Sequence, residues 1–118
     1  MSCPNRAELA RRIRDDGIDV LMDLSGHTSH NRLMVLAQRV APVQVSFLGY
    51  PGSTGVPNID WLLVDAVVVP PEHDVLCTER VYRLPHTVFC YAPEVDYPYP
   101  VYGAAQAERP LTFGSFNN

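Results

Sequence analysis

Lysine is absent from this chain of 118 residues, because all nine of its basic side chains are arginines. The formal net charge at pH 7 is −4, so the sequence offers no broad basic surface and we expect no nucleic-acid partner. Four of the arginines fall between residues 6 and 14. Such a cluster favours a solvated helix face over a track for phosphates.

Long hydrophobic runs and paired cysteines are also missing. No apolar stretch approaches the roughly 20 residues of a membrane-spanning helix, and the polar N-terminus has no signal-peptide core. We therefore expect no membrane partner. The three cysteines, Cys3, Cys77 and Cys90, have no metal-binding or redox spacing. Their odd number favours a reducing, cytoplasmic location.

Familiar catalytic motifs are absent as well. The sequence has no GxSxG elbow, no phosphate-binding P-loop and no GxGxxG dinucleotide fingerprint. Its carboxylates are scattered, so no glycosidase-like pair stands out. The residues alone therefore name no catalytic side chain.

What the chain does contain is an alternation of helix and strand patterns. Hydrophobic residues make up 47% and charged residues 19%, which suits one globular domain or part of a larger one. Asn5 as N-cap and Gly17 as stop delimit a first helix over residues 5–16. A second helix is predicted over residues 30–39, with Leu33, Leu36 and Ala37 facing inward. A short helix with proline in its first turn is predicted within residues 70–79.

Apolar runs between these helices predict strands within residues 18–26, 42–49, 60–70 and 80–85. The first run is typical of a strand that is buried on both faces. Helices and strands that alternate with short connections predict an α/β fold with a mostly parallel sheet.

Two loops follow predicted strands, "SGHTSHNR" at residues 25–32 and "LGYPGSTG" at residues 48–55. Ligands of parallel α/β sheets bind beyond the carboxyl ends of strands, so both loops are expected at one ligand-facing edge. Leu48 and Tyr50 can form an apolar wall for a sugar ring or an acyl group. The alternative is a turn whose glycines serve only to supply positive φ.

Polar residues near these loops allow several roles. His27 and His30 would need Asp23 and more to hold a metal, and a polar loop with a helix cap is the favoured interpretation. Arg32 is expected in the first turn of its helix, where it can meet a phosphate or a carboxylate or lie on plain surface. His86 fits a hydrogen-bonded structural histidine better than a catalytic base.

Five ordered blocks carry a resemblance to a known family. The chain resembles, from about Arg6 to Asn118, the catalytic region of the O-linked N-acetylglucosamine transferase / SPINDLY family, especially its bacterial members. Val40 departs from the proline that the family usually has at that position. The blocks are "DGIDVLMDLSGHTSHNRL", "APVQVSFLGYPGSTG", "IDWLLVD", "ERVYRLPHTVFCYAP" and "LTFGSFNN".

The resemblance implies part of a two-lobe, Rossmann-like (GT-B type) glycosyltransferase, usually preceded by tetratricopeptide repeats. Residues 1–105 correspond to the later part of the N-terminal lobe, with a Pro/Tyr-rich connector at about 88–105. Residues 106–118 correspond to the first strand of a truncated C-terminal lobe. The leaving-group machinery of the family lies beyond that strand, so we expect the chain alone to be inactive.

The activity implied is transfer of a sugar, expected to be N-acetylglucosamine, from a nucleotide-sugar such as UDP-GlcNAc to a protein Ser or Thr, with inversion and without a metal or cofactor. The partners are thus a nucleotide-sugar and an acceptor protein or peptide. Two alternatives stay open: a different donor or acceptor, as in O-fucosyl or N-glycosyl transfer, and a non-catalytic interaction module.

Residue by residue, the resemblance places Leu48, Gly49 and Pro51 against the donor sugar, with Tyr50 packed behind them. It also predicts that Gly49→Val in the full-length enzyme causes a large loss of transfer with only a modest loss of stability.

The other loop is implied to lie near the acceptor through Gly26, His27 and Thr28, while Arg32 guides the acceptor or the diphosphate. Animal members commonly have a tyrosine where His27 stands, so no catalytic base is assigned.

Overall fold

The computed structural model describes residues 5–90 and residue 92. The predicted domain boundary at residues 105 and 106, the predicted last strand and most of the predicted connector lie outside these residues. The elements in chain order are α1 (Arg6–Asp15), β1 (Val20–Asp23), α2 (Leu33–Leu36), β2 (Val43–Phe47), β3 (Trp61–Val64), a 3-10 helix (Pro71–Leu76) and β4 (Arg80–Arg83).

Helix α1 begins and ends where the sequence predicts. The side chain of Asn5 accepts a hydrogen bond from the amide of Glu8 at 2.9 Å, which satisfies one of the free donors of the first turn. Gly17 follows the helix with φ of +63°, a conformation that costs glycine little. The helix buries Ala10 against α2.

The four strands form one sheet in the order β1-β2-β3-β4, and every neighbouring pair is parallel. The predicted α/β class with a mostly parallel sheet is confirmed. Because the strands run the same way, their carboxyl ends all lie at one edge.

The two faces of this sheet differ. On one face, Leu62 and Val64 pack with Val69 and Val88 in an apolar cluster, and Leu21 packs against the two helices. We call this the covered face.

The other face, here the open face, exposes apolar side chains in the described part of the chain. Val20 is 54% and Met22 44% exposed on β1, and Tyr82 is 54% exposed on β4. The prediction that the first strand is buried on both faces is therefore wrong for these residues. An apolar run looks the same whether one face or both are covered, which explains the error.

Two predicted elements are shorter than expected. Helix α2 has four residues, because Arg39 turns to a φ of +50° soon after it. Leu33 and Leu36 are buried as predicted, and Ala37 is half-buried.

The third strand stops before Asp65. The carboxylate of Asp65 accepts hydrogen bonds from the amides of Val67 at 2.9 Å and Val68 at 2.8 Å. This side-chain turn redirects the chain although the apolar run continues to Val69.

Candidate active site

The carboxyl edge of the sheet brings the two predicted loops together. Strands β1 and β2 are neighbours, and Asp23 pairs with Ser46 at their last common position. The SGHT loop (residues 25–28) follows β1, and the LGYPG loop (residues 48–52) follows β2. The prediction that both loops open onto one edge is thus confirmed.

The SGHT loop is shaped by a buried carboxylate. Asp23 is 7% exposed, and it accepts hydrogen bonds from the amides of Ser25 at 3.3 Å and Gly26 at 2.7 Å. Thr28 closes the turn through its amide and hydroxyl, which both donate to the carbonyl oxygen of Ser25, at 3.1 and 2.8 Å. Asp23 therefore organises backbone, as side chains at Asx turns do.

Among residues 5–90 and 92, no group of three or more His, Cys, Asp or Glu side chains is placed to hold a metal ion. A metal site at His27 and His30 would also need the carboxylate of Asp23. Its oxygens point at the amides of the loop that it precedes.

The LGYPG loop starts with a strained turn. The amide of Gly49 donates to the carbonyl oxygen of Phe47 at 2.8 Å, and the intervening Leu48 has a φ of +66°. A bulky residue rarely adopts this conformation, and such strain persists only where the surroundings hold it. The turn leaves the side chain of Leu48 48% exposed.

Glycine is required at two points where the loops touch. A Cβ on Gly49 would lie 1.8 Å from the carbonyl oxygen of Leu24, and a Cβ on Gly26 would lie 2.3 Å from the Cβ of Tyr50. The alternative that the glycines serve only positive φ fails for Gly49, which is absent from the positive-φ glycines of the described chain. The two loops interlock through backbone.

This interlock corrects one expectation. Gly49→Val was predicted to cause only a modest loss of stability, on the argument that the backbone approaches the sugar there. The backbone of Leu24 already occupies the space of the added side chain, so the substitution must also damage the fold.

Aromatic rings extend the contact between the loops. The ring of Tyr50 meets the ring of His27 edge-on, with centroids 5.1 Å apart and an interplanar angle of 78°. Such T-shaped pairs are favourable. Tyr50 thus contacts the SGHT loop, although it is 40% exposed, and Leu48 and Pro51 are exposed on the edge as well.

Arg32 sits immediately before helix α2 instead of in its first turn. Its guanidinium donates to the carbonyl oxygens of His30 at 3.2 Å and Asn31 at 3.3 Å. Together with His27 and Thr28 it is exposed. The predicted acceptor-side residues therefore lie on one short segment, which begins at the buried Gly26.

A second buried carboxylate holds the far end of the LGYPG loop. Glu79 is 5% exposed and accepts hydrogen bonds from the hydroxyl of Ser53 at 2.7 Å, the amide of Thr54 at 2.8 Å and the hydroxyl of Thr54. Sequence reasoning missed Glu79. Its partners stand 25 and 26 residues away, so no local pattern marks them.

At the carboxyl edge, Asp65 ties the segments after β3 and β4 together. Besides the two amides of its own turn, it accepts a hydrogen bond from the amide of Val88 at 2.8 Å. These hydrogen bonds, led by that of Val68, lower the pKa of Asp65. Next to them an open cavity of about 470 Å³ is lined by His86, Val67 and Phe89, among others.

Comparison with known proteins decides the family. The sequence pattern described as "Glycosyl transferase family 41" matches residues 1–97. The chain belongs to glycosyl transferase family 41. The predicted resemblance to O-linked N-acetylglucosamine transferases and SPINDLY proteins is confirmed.

Relatives from plants and animals share this family 41 segment. A tomato (Solanum lycopersicum) protein named "Probable UDP-N-acetylglucosamine--peptide N-acetylglucosaminyltransferase SPINDLY" is 40% identical over 111 residues, which are 94% of this chain and 12% of the relative. A Caenorhabditis elegans UDP-N-acetylglucosamine–peptide N-acetylglucosaminyltransferase is 37% identical over 86 residues, 73% of this chain and 8% of that protein. The chain thus spans about an eighth or less of these curated relatives.

A solved family 41 structure has the same fold. A mutant of the Thermobaculum terrenum O-GlcNAc transferase matches with a TM-score of 0.73 and 42% identity, over 79% of this chain and 18% of that one. No helix in the described part of this chain is long and apolar enough to cross a membrane.

Proposed function

We propose that this chain is part of a protein O-glycosyltransferase that moves N-acetylglucosamine from a nucleotide-sugar such as UDP-GlcNAc to a Ser or Thr hydroxyl with inversion. One observation carries the proposal: a family 41 chain presents two interlocked loops at the carboxyl edge of a parallel sheet. That edge is where α/β folds bind ligands. The names of the relatives and of the solved structure support the donor and the acceptor class.

Inverting transfer needs a wall behind the sugar and an open path for the hydroxyl. The oxygen of the acceptor attacks the anomeric carbon as the bond to the diphosphate breaks on the opposite side, and the hydroxyl proton passes to a base. Exposed Leu48 and Pro51 supply apolar surface suited to a sugar ring, with the backbone of Gly49 between them. Tyr50 supports this wall from the side of His27.

The SGHT loop faces the acceptor in this proposal. Thr28 and His27 are exposed beside the wall, and Arg32 follows on the same segment with its guanidinium close to backbone carbonyls. Arg32 can steer an acceptor carboxylate or the donor diphosphate. No residue of this chain is assigned as the base.

Stabilisation of the departing diphosphate is assigned to parts of the complete enzyme outside this chain. Developing negative charge requires preorganised cations or a helix N-terminus at the phosphate. We propose no metal for the reaction, since Asp23, the carboxylate that a metal site with His27 and His30 would need, already accepts two amide hydrogen bonds. The chain alone is accordingly expected to be inactive.

The test uses the complete protein that carries this segment. It is incubated with acceptor proteins and a panel of nucleotide-sugars, and mass spectrometry identifies the sugar and the modified residue. N-acetylglucosamine on Ser or Thr is the expected product. Fucose, or a sugar on Asn, would instead favour the alternative donor or acceptor, and no transfer with any donor would favour an interaction module.

A second measurement addresses the separate claim that the nucleotide site lies elsewhere. Isothermal titration of the 118-residue chain with UDP-GlcNAc is expected to show no binding at micromolar concentrations. Micromolar binding by the chain alone would contradict the claim.

A further inference from the structure

Glu79 connects the start of β4 to the loop that we propose as the sugar wall. Its three hydrogen bonds all come from Ser53 and Thr54, the first residues after Gly52. The hydroxyl of Ser53 also accepts hydrogen bonds from the amides of Gly55 at 3.2 Å and Thr78 at 3.1 Å. The contact is therefore a closed network between two segments that are distant in sequence.

Burying a carboxylate is costly unless donors replace its water. Here a backbone amide and two hydroxyls do so, and each is aimed at a Glu79 oxygen. Thr54 is itself only 3% exposed. Such a network fixes the position of the backbone at residues 53 and 54.

The fixed position matters because the wall is held at both ends. Residues 48–52 span the gap between Phe47, the last residue of β2, and the residues bound to Glu79. Within that gap Leu48 keeps its strained φ of +66°. A loop released at its far end can relax this strain, since only the surroundings maintain it.

We propose that Glu79 is a positioning residue for sugar recognition, one that acts through Ser53 and Thr54 to hold the LGYPG loop against the donor sugar. The inference rests on the proposed function. It deepens that function by separating recognition of the sugar, which depends on Glu79, from recognition of the nucleotide, which does not.

This separation defines the readout. In the complete protein, dissociation constants are measured for the nucleotide-sugar and for the sugar-free nucleotide diphosphate. Thr54→Val removes one hydroxyl donor without changing the side-chain shape. It is expected to weaken nucleotide-sugar binding about three- to tenfold, the range of one hydrogen bond. Binding of the nucleotide diphosphate is expected to stay unchanged.

Three further variants complete the design. Glu79→Gln should weaken nucleotide-sugar binding more than Thr54→Val does. Thr54→Ser keeps the hydroxyl and should bind the nucleotide-sugar as the wild type does. Asp60→Asn is the matched control, because Asp60 is a partly buried carboxylate at the amino edge, where Glu79 also lies, but it pairs with Arg39 and not with Ser53 or Thr54. It should lower the melting temperature and leave both dissociation constants unchanged.

Two outcomes would overturn the inference. One is an equal affinity for the nucleotide-sugar in wild type, Thr54→Val and Glu79→Gln. The other is an equal loss of affinity for the nucleotide-sugar and for the sugar-free nucleotide diphosphate in these variants. Either result in a protein that still transfers sugar would leave the proposed function standing, whereas failure of the wild-type protein to bind any nucleotide-sugar defeats both. If Glu79→Gln does not fold, the Thr54→Val and Thr54→Ser pair decides.

Discussion

The two edges of one small sheet are built in different ways. At the amino edge, where β2 and β3 begin, an ion pair and a buried amide satisfy the backbone. At the carboxyl edge, glycines let two loops approach each other, and a strained leucine remains exposed. The same strands thus end in a stabilising network on one side and in a presented surface on the other.

The amino edge is organised by Asp60 and Gln44. The carboxylate of Asp60 accepts two hydrogen bonds from Arg39, at 2.6 and 2.9 Å, and one from the amide of Gln44 at 2.8 Å. The side chain of Gln44 is fully buried. It donates to the carbonyl oxygens of Leu36 at 2.8 Å and Asn58 at 2.6 Å, and accepts from the amide of Val40 at 3.0 Å.

The largest expected effect tests the tightness of the carboxyl edge. Gly49→Ala places a Cβ 1.8 Å from the carbonyl oxygen of Leu24, so one loop must move. We expect a loss of about 3–5 kcal/mol in the free energy of unfolding, the upper range for single substitutions. Gly55→Ala is the control, because its φ of +67° is strained but nothing lies within 4 Å. It should cost only about 1 kcal/mol.

Chemical denaturation of both variants measures the difference. Equal losses would mean that the contact between the loops is looser than the structure shows, and the contrast between the edges would then disappear.

The next effect tests the amino edge. Gln44→Leu introduces an apolar side chain of similar size and leaves the carbonyl oxygen of Asn58 and the amide of Val40 without the Gln44 partner, while the carbonyl oxygen of Leu36 keeps the amide of Arg39. Unsatisfied buried groups cost about 1–3 kcal/mol each, so we expect a loss of at least about 2 kcal/mol. Gln38→Leu, at an exposed position, should stay within about 0.5 kcal/mol. A tolerated Gln44→Leu would show that the amino edge needs no polar network.

Low pH tests both edges of the sheet, because each edge contains an aspartate whose pKa is lowered. Arg39 lowers the pKa of Asp60, chiefly through its side-chain hydrogen bonds, and backbone amides lower the pKa of Asp65. Both groups therefore contribute stability above the ordinary Asp pKa of about 3.9, and that contribution is lost as pH falls through the lower folded-state pKa. Asp60→Asn and Asp65→Asn should each flatten the fall of unfolding free energy below about pH 4.

Added salt should reduce the stabilisation by Asp60 more than the stabilisation by Asp65. The Arg39–Asp60 pair is partly exposed, with side-chain accessibilities of 38% and 20%, so salt should weaken it. The amide hydrogen bonds of Asp65 involve no countercharge and should resist salt. Denaturation with and without about 1 M NaCl, where screening extends over about 3 Å, measures this. An equal salt response at the two sites would contradict the assignment.

The smallest effect lies on the open face. The guanidinium of Arg80 stacks 4.3 Å from the ring centroid of Trp61, the single tryptophan of the chain. Arg80→Gln should cost about 0.5–1 kcal/mol, as exposed cation–π contacts do. It should also make the tryptophan fluorescence more sensitive to quenching by acrylamide. Arg11→Gln, on exposed helix surface, should change neither quantity.

Local signals explain what the sequence predicts correctly. The cap at Asn5 and the glycine at Gly17 delimit α1 through contacts within a few residues. The alternation of apolar runs yields four parallel strands. Parallel topology then places both glycine loops at one edge without any knowledge of side chains.

Long-range contacts explain what the sequence does not predict. The approach of Gly49 to Leu24 joins residues that follow different strands, and the partners of Glu79 lie 25 and 26 residues away. A glycine that is needed for close packing looks the same as one that is needed for a turn. Only the assembled sheet distinguishes them.

Gly26 packs against Tyr50, and Gly49 packs against Leu24. Substitutions in one loop therefore constrain the substitutions that the other loop can accept. An exchange of one loop between relatives would place new side chains against a backbone shaped for the old ones. Under the proposed function, donor specificity and acceptor specificity would then change together at this edge. An attempt to change the sugar that the proposed wall accepts should exchange residues 23–28, residues 47–54 and Glu79 together.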